Sequence, residues 1–415
     1  MTHIIETVYH QPATVANLRS GLLGKYIEGF AVALMSQGYA RATLRVKIRA
    51  IGRWNKWLHK RPIDVAGLNE ALITEFIRTL PRTLYRQSGV RTTLHRFINY
   101  LREIGVVHTP IPSTNSEPRS FIERDYELYL SQERGLTPPT IRYNLFHVHR
   151  FLNERFGPDN IELNKLCQDD ITKHILQHSS EYQQRSAQTW TSALRGFIRY
   201  LNLRGLTKTD LTGCVLKSAD WNLSALPKYI EAEEVERLLK SIDCNTAVGL
   251  RDYALLLIIA RLGLRGGEVV QLELEDFNWL EGTLRVHGKN ARWSYLPVTK
   301  EIGEAVVNYL RKGRPTCATR RVFLTAVAPY HELKSSANVT AIVARHLKSA
   351  GIKATRAGAH LLRHSLATQM LQGGGSLEEI CQVLRHLHLS TTEIYAKVNF
   401  TALKEIVQPW PGNQQ

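Results

Sequence analysis

Residues 251–268 read R-D-Y-A-L-L-L-I-I-A-R-L-G-L-R-G-G-E. Residues 254–260 are apolar on every side, so a helix here has no face to offer water and must lie inside a core. The run is far shorter than the roughly 20 residues that a membrane span requires, and Arg251, Asp252 and Arg261 flank it. The reading is a buried helix over residues 251–262. Gly263 follows directly and brings Arg265 to a helix-to-helix turn, with Glu268 just behind it. An arginine in such a place is costly unless paired. Glu268 can hold one edge of the guanidinium while the free edge points into a cleft, an arrangement suited to a bidentate contact with an oxyanion. An ordinary salt bridge at a turn fits the same residues equally well.

Working outward, the pattern changes on both sides. An amphipathic helix is expected over residues 231–241. Downstream, Thr283-Leu-Arg-Val-His287 and Trp293-Ser-Tyr-Leu-Pro297 flank Gly288-Lys-Asn290, the signature of a β-hairpin with a Gly/Asn turn. Helices resume near residue 300. Residues 226–415 therefore read as a mixed α+β, mainly helical domain with a small antiparallel sheet.

Two turn-rich segments, residues 110–118 (P-I-P-S-T-N-S-E-P) and a looser stretch over residues 206–227, read as linkers. The pieces before the second linker, residues 1–110 and 119–205, resemble each other. Tyr26-Ile27-Glu28 matches Phe121-Ile122-Glu123, and Ser36-Gln37 matches Ser131-Gln132. After a two-residue insertion, Gly38, Thr43 and Arg45 fall on Gly135, Thr140 and Arg142. Phe97-Ile98, Tyr100-Leu101 and Gly105 recur as Phe197-Ile198, Tyr200-Leu201 and Gly205. This is the mark of a duplicated module. Both copies are helical by period: Leu44, Ile48, Ile51 and Leu58 in the first, Ile141, Leu145, Val148 and Leu152 in the second. The fold class expected is thus multidomain, two α-helical N-terminal modules followed by the α+β domain.

With 54 Lys and Arg against 37 Asp and Glu, the net charge is +17 and the pI about 9.7, which favours a polyanionic partner. Beside the apolar stripe of the first module, Arg41, Arg45, Arg49, Arg53 and Lys60 line another face, with Lys56 near them, at a spacing that can track a phosphate backbone. The second module repeats this more weakly with Arg142, His149 and Arg150. A solvated basic face is the plain alternative. Cys167, Cys214, Cys244, Cys317 and Cys381 are scattered singly, so neither a disulfide framework nor a zinc knuckle is indicated. Residues 1–16 show no apolar run behind a basic start, so no secretory leader is read and a cytoplasmic, nucleoid-associated location without membrane attachment is expected.

Three further pieces carry chemistry. Gly358-Ala359 leads into His360-Leu-Leu-Arg363, whose ends share a helical face and point two donors the same way. His360 and His364 stand four apart, but H-L-L-R-H lacks the Glu of a zincin helix, so no metal is inferred. Ser376-Leu-Glu-Glu379 and Ser390-Thr-Thr-Glu393 are capping-box patterns that predict helices from residue 377 and from about 391, with Tyr395 in the first turns of the second. His386 falls in the loop between them. Taken alone, a tyrosine on a helix is most often a packing residue.

In order and interval, these pieces resemble the tyrosine recombinases, the phage integrase family. The phrases that carry the likeness are R-D-Y-A-L-L-L-I-I-A-R-L-G-L-R-G-G-E, H-G-K-N-A-R-W-S-Y-L-P, H-L-L-R-H-S-L-A-T and L-R-H-L-H-L-S-T-T-E-I-Y. It covers the chain from about residue 119: the second helical module looks like the family's core-binding domain and the remainder like its catalytic domain. By motif, the resemblance makes Arg265, Lys289, His360, Arg363 and His386 the activating residues and Tyr395 the nucleophile, with Glu268 in support. Two arginines would stabilise charge gathering on the nonbridging phosphate oxygens. A base must help tyrosine, whose ordinary pKa is about 10, and His360 is the expected one. Lys289 on the hairpin tip would protonate the leaving 5′-oxygen, and His386 would hydrogen-bond the phosphate. Neither metal nor nucleotide cofactor is implied. The sequence departs from the family at Leu262, where Thr is usual, at Arg385, where a small residue is usual, and at the hairpin, which lacks a second Lys near Asn290.

The resemblance implies a site-specific recombinase of the integrase or transposase type, acting on double-stranded DNA sites as a homo-tetramer, with an accessory recombinase or DNA-bending protein as a further partner. Phe400, Leu403, Ile406 and Val407 form a short apolar stripe that would link subunits in a ring, or else fold back on their own domain. A type IB topoisomerase and a non-catalytic DNA-binding protein are the competing readings.

Overall fold

The computed structural model describes residues 4–81, 89–108, 118–157, 161–179, 184–215, 228–288, 292–355 and 357–398. It is mostly helical with one three-stranded antiparallel sheet. The chain divides into two compact units, residues 110–222 and residues 1–109 together with 223–415. Lys289, the hairpin tip around it, the C-terminal stripe from Phe400 to Val407 and most of both expected linkers lie outside the described residues.

The N-terminal part runs α1 (Ile4–Val8), α2 (Pro12–Arg19), α3 (Gly24–Ser36), α4 (Arg41–Leu58), α5 (Glu70–Arg78) and α6 (Val90–Glu103). On α4, Leu44, Ile48, Ile51, Trp54 and Leu58 are buried together, while Arg41, Arg45 and Arg49 are exposed. Burial of each such side chain contributes about 1.5–3 kcal/mol, enough for a helix whose other face is cationic to be fixed by its apolar stripe. Phe97 on α6 meets Phe30 on α3 edge to face at 5.1 Å.

The unit over residues 110–222 contains α7 (Pro118–Leu128), α8 (Pro138–Phe156), α9 (Gln168–Ser179) and α10 (Gln184–Leu203). Its core gathers Tyr126, Val148, Phe151, Phe197 and Tyr200, and Phe197 meets Tyr126 edge to face at 5.1 Å. Packing continues past residue 205, where the sequence suggested a linker. Leu211 and Val215 are buried in the same core, and Arg195 on α10 ties the segment down by donating to the Val215 carbonyl at 3.0 Å.

The C-terminal part is built around α12 (Ala247–Leu262), which α11 (Ala232–Lys240) precedes and α13 (Gly266–Gln271) follows. Strands β1 (Phe277–Asn278), β2 (Thr283–His287) and β3 (Trp293–Pro297) form the sheet in that order. The hairpin pairs Thr283 with Pro297 through His287 with Trp293, which closes it beneath the tip; β1 was not foreseen. Helices α14 (Lys300–Asn308), α15 (Ser336–Ser349), α16 (Ala359–Gln372) and α17 (Leu377–Val383) complete it. No helix among the described residues is long and apolar enough to cross a membrane.

Helix α12 packs against α11, α14 and α16, and Leu255 through Ile259 are fully buried, as its unbroken apolar surface requires. The Thr246 hydroxyl caps its start by accepting from Gly249 N–H at 3.0 Å. Its two buried charges pair with each other: Arg251 donates to Asp252 at 2.6 and 2.8 Å. Asp252 also accepts from Arg345 and lies 2.8 Å from His346 Nε2. Burial pushes the Asp252 carboxyl up, but His346 and Arg251 outweigh it and hold the group below the usual carboxylate range.

Candidate active site

Helix α12 ends at Gly263, whose left-handed backbone (φ 61°) turns the chain; a Cβ there would meet Leu384 Cδ2 at 2.8 Å. The turn places Arg265 at the entrance to α13. Glu268, 6% exposed, accepts from the Arg265 backbone N–H at 2.9 Å and from its Nη1 at 2.6 Å. The Arg265 side chain keeps 30% of its surface open. Burial raises the Glu268 carboxyl, yet Arg385 and Arg265 together hold it below the usual range.

Arg385 is the departure with the largest structural consequence. It sits in the left-handed region (φ 55°), which costs a non-glycine residue roughly 1–2 kcal/mol. Its Nη2 donates to Glu268 at 2.9 Å and its Nη1 to the Val383 and Leu262 carbonyls at 3.2 and 3.3 Å. Glu268 thus bridges two guanidiniums and ties the Arg265 turn to the end of α17.

Arg363, 3% exposed, donates from its two terminal nitrogens to the Gly263 and Leu384 carbonyls. Each nitrogen retains a second N–H. Burial first, then Arg265 and Arg385, lower its pKa to about 9, so it remains charged at neutral pH. His360, three residues earlier on α16, is held below its ordinary pKa by the surrounding protein and by Arg363 and Arg265.

Tyr395 is 1% exposed and packs among Ala367, Leu371, Ile380 and Leu384. Burial pushes its hydroxyl up to about 12, while the charges of Arg363 and Arg265 pull it down. Its hydrogen-bond partner is His364 rather than the expected His360: Nδ1 lies 2.7 Å from the hydroxyl oxygen. Residues 360 and 364 share a face of α16, with rings 6.3 Å apart, and the one farther along the helix meets the tyrosine. His364 was weighed from sequence only as half of a metal pair, although its spacing from His360 was the signal that placed it here.

The second capping box also turns out differently. Ser376 and Glu379 reciprocally cap α17 at 2.8 and 3.1 Å, but Ser390-Thr-Thr-Glu393 opens two tight 3₁₀ turns, Leu389–Thr391 and Glu393–Val398. Within this segment the Thr392 side chain is buried and meets His386 Nδ1 at 2.8 Å. Its backbone N–H bonds three residues back, to Leu389 O at 2.7 Å, and Tyr395 N–H does the same to Thr392 at 3.0 Å. His386 is thereby oriented, and burial followed by Arg363 and Arg265 lowers it to about 4.

The basic residues of the helical modules separate into groups. Arg45 donates to the Val8 carbonyl at 2.7 Å and, with Arg49, Arg53, Lys56, Tyr9 and His10, lines a cleft of about 630 Å³. Arg41 and Arg142 are exposed. Arg150 is committed inside its own unit, to Glu154 at 3.0 Å and His178 Nδ1 at 2.7 Å. Glu154, His174 and His178 stand within reach of one metal ion, but Glu154 already lies 2.7 Å from a nitrogen of each histidine. Arg150 covers the far side of His178, where a metal-bound imidazole would have to carry a proton.

Residues 228–402 match the model of the phage integrase family. The integrase/recombinase y4rA of Sinorhizobium fredii (strain NBRC 101917 / NGR234) is 38% identical over 402 residues, 95% of this chain and 96% of that protein. Tyrosine recombinase XerD of Listeria innocua serovar 6a is 28% identical over 290 residues, 68% of this chain and 95% of its own. Among solved structures, a lambda integrase(75-356) dimer bound to a COC' core site shares the fold, with TM-score 0.51, 16% identity and coverage of 71% of this chain and 98% of that one. Fold, motif order and relatives together define a tyrosine-type DNA strand transferase. The chain belongs to the phage integrase family of tyrosine recombinases.

Proposed function

We propose that the protein is a site-specific recombinase that cuts and rejoins double-stranded DNA through a covalent 3′-phosphotyrosine link to Tyr395. The observation that carries this reading is the convergence, beside one buried tyrosine hydroxyl, of motif segments far apart in the chain: Arg363 donates to the Gly263 and Leu384 carbonyls, and the adjacent His364 lies 2.7 Å from the Tyr395 hydroxyl. Arg265 is preset by Glu268, and the second N–H of each Arg363 terminal nitrogen is available, so both can bind nonbridging oxygens as charge gathers there. His386, fixed through Nδ1 by Thr392, directs Nε2 to the phosphate. The Tyr395 oxygen bonds to phosphorus, the bond from phosphorus to the 5′-oxygen breaks, and Lys289 at the hairpin tip gives the leaving oxygen its proton. The phosphotyrosine conserves the bond energy, so a 5′-hydroxyl from the same or a second duplex can reverse the step.

The cations Arg41, Arg45, Arg49 and Arg142, which are exposed, and Arg53, which is half-buried, belong to the DNA grip in this reading, since phosphate contacts position a duplex without reading it. The relatives called integrase support integration or transposition as the setting. Exchange between two sites calls for a tetramer, with residues 399–415 joining neighbours. A pool of duplexes with randomised inverted-repeat arms, selected by binding, supplies the sites for the test: strand exchange between two selected duplexes supports recombination. Relaxation of supercoiled plasmid without exchange overturns it in favour of a topoisomerase. Deleting residues 399–415 should leave single-site binding intact and weaken synapsis.

A further inference from the structure

We propose that His364 is the proton acceptor for Tyr395. This rests on the reading of Tyr395 as nucleophile and names a catalytic group that the family motif left unassigned. His364 Nδ1 lies 2.7 Å from the hydroxyl, within the reach required of a general base. Other nearby groups are unsuited. Arg265 and Arg363 carry permanent charge at neutral pH and only donate. His386 spends Nδ1 on Thr392, and of the two histidines on this face of α16 it is His364, not His360, that makes the hydrogen bond to the hydroxyl.

Burial, then His360 and Arg363, lower the His364 pKa to about 4. Its ring is therefore neutral at physiological pH, and with the ring proton on Nε2 its Nδ1 lone pair is free to accept. The charged and titratable groups around it are His360 and Arg363 on α16, Tyr395 in the C-terminal turn and His386 after α17. Binding of a phosphate among these cations adds negative charge beside the imidazole and favours its protonated form. As the tyrosine oxygen bonds to phosphorus, its proton passes to Nδ1; the electron pair of the breaking bond leaves with the 5′-oxygen, which Lys289 protonates. On rejoining, the His364 imidazolium returns the proton to the departing phenolate.

The test uses full-length protein, a selected nicked suicide duplex and single-turnover adduct formation across pH. His364→Asn keeps an acceptor near Nδ1 but cannot take a proton. It should bind DNA normally, form adduct about 100- to 10,000-fold more slowly, and lose the acid limb of the pH-rate profile. A duplex with a 5′-bridging sulfur, whose leaving group needs no proton, should restore Lys289→Ala and leave His364→Asn slow. Added imidazole should partly rescue His364→Ala; if that variant fails to bind DNA, His364→Asn carries the test. An Asn variant close to the wild-type rate with its acid limb intact, or one restored by the sulfur substrate, overturns the assignment. Tyr395→Phe separates the two readings: an adduct with that variant sinks the nucleophile itself, whereas an inert Phe variant beside a normal Asn variant sinks only the role of His364.

Discussion

Replacing Glu268 by Gln should damage stability and chemistry by separable routes. Glu268 holds Arg265 at 2.6 Å and Arg385 at 2.9 Å, and Gln keeps the shape while removing the charge. Arg265 can turn to water, but the Arg385 side chain is only 10% exposed and would be left as a buried, undercompensated cation. Breaking such a pair typically costs about 3–5 kcal/mol, and the amide oxygen that remains should bring the loss below that range, to about 2–3 kcal/mol. Adduct formation should fall as well, because Arg265 loses the carboxylate that presets it. The double variant Glu268→Gln with Arg385→Gly removes the stranded charge and also relieves the left-handed strain of roughly 1–2 kcal/mol. It should recover most of the stability and none of the rate. Urea unfolding and single-turnover adduct assays on the four proteins of this cycle give both quantities. Equal recovery of rate and stability would refute the reasoning, since Glu268 would then act only through folding.

Asp252→Asn should cost about 3–5 kcal/mol in urea unfolding, because it strands the buried Arg251; a loss under about 1 kcal/mol would show that the pair is not structural. The acid side of the stability profile should be dominated by buried histidines. His364 and His386 titrate near 4 when folded, against 6.5 ordinarily, so the unfolded chain binds more protons in that window. Stability is fully present above pH 6.5 and declines toward pH 4, by a few kcal/mol in total. In His364→Asn the decline should be shallower; an unchanged slope in thermal melts across this window would contradict the shifts.

Much of the catalytic domain was legible because its signals were local. The apolar run at residues 254–260 had to be buried, the hairpin carried its own turn, and Ser376 with Glu379 announced a helix start. The site was legible only through the family resemblance that the order of the motifs carries, which implied that Arg265, Arg363 and His386 serve Tyr395. The tertiary choices were not legible. Nothing local tells whether His360 or His364 meets a hydroxyl 31 residues later, since both share a helical face. The Ser390 capping pattern did not announce that the segment would be 3₁₀, nor that the buried Thr392 hydroxyl would meet His386, a contact no local rule contains. Arg385 looked like a mere departure from a small residue until its bond to Glu268 appeared. Likewise the stretch after residue 205 read as loop because Leu211 and Val215 are too sparse to show a period, although both are buried.

The most direct test of the central claim is to trap the covalent adduct on a selected nicked duplex, digest it with trypsin, and locate the DNA-linked residue by mass spectrometry. The account predicts a single nucleotide-bearing peptide, H-L-H-L-S-T-T-E-I-Y-A-K, residues 386–397, modified at Tyr395, and none from Tyr395→Phe. Attachment at any other residue, or an adduct that persists in the Phe variant, would contradict it.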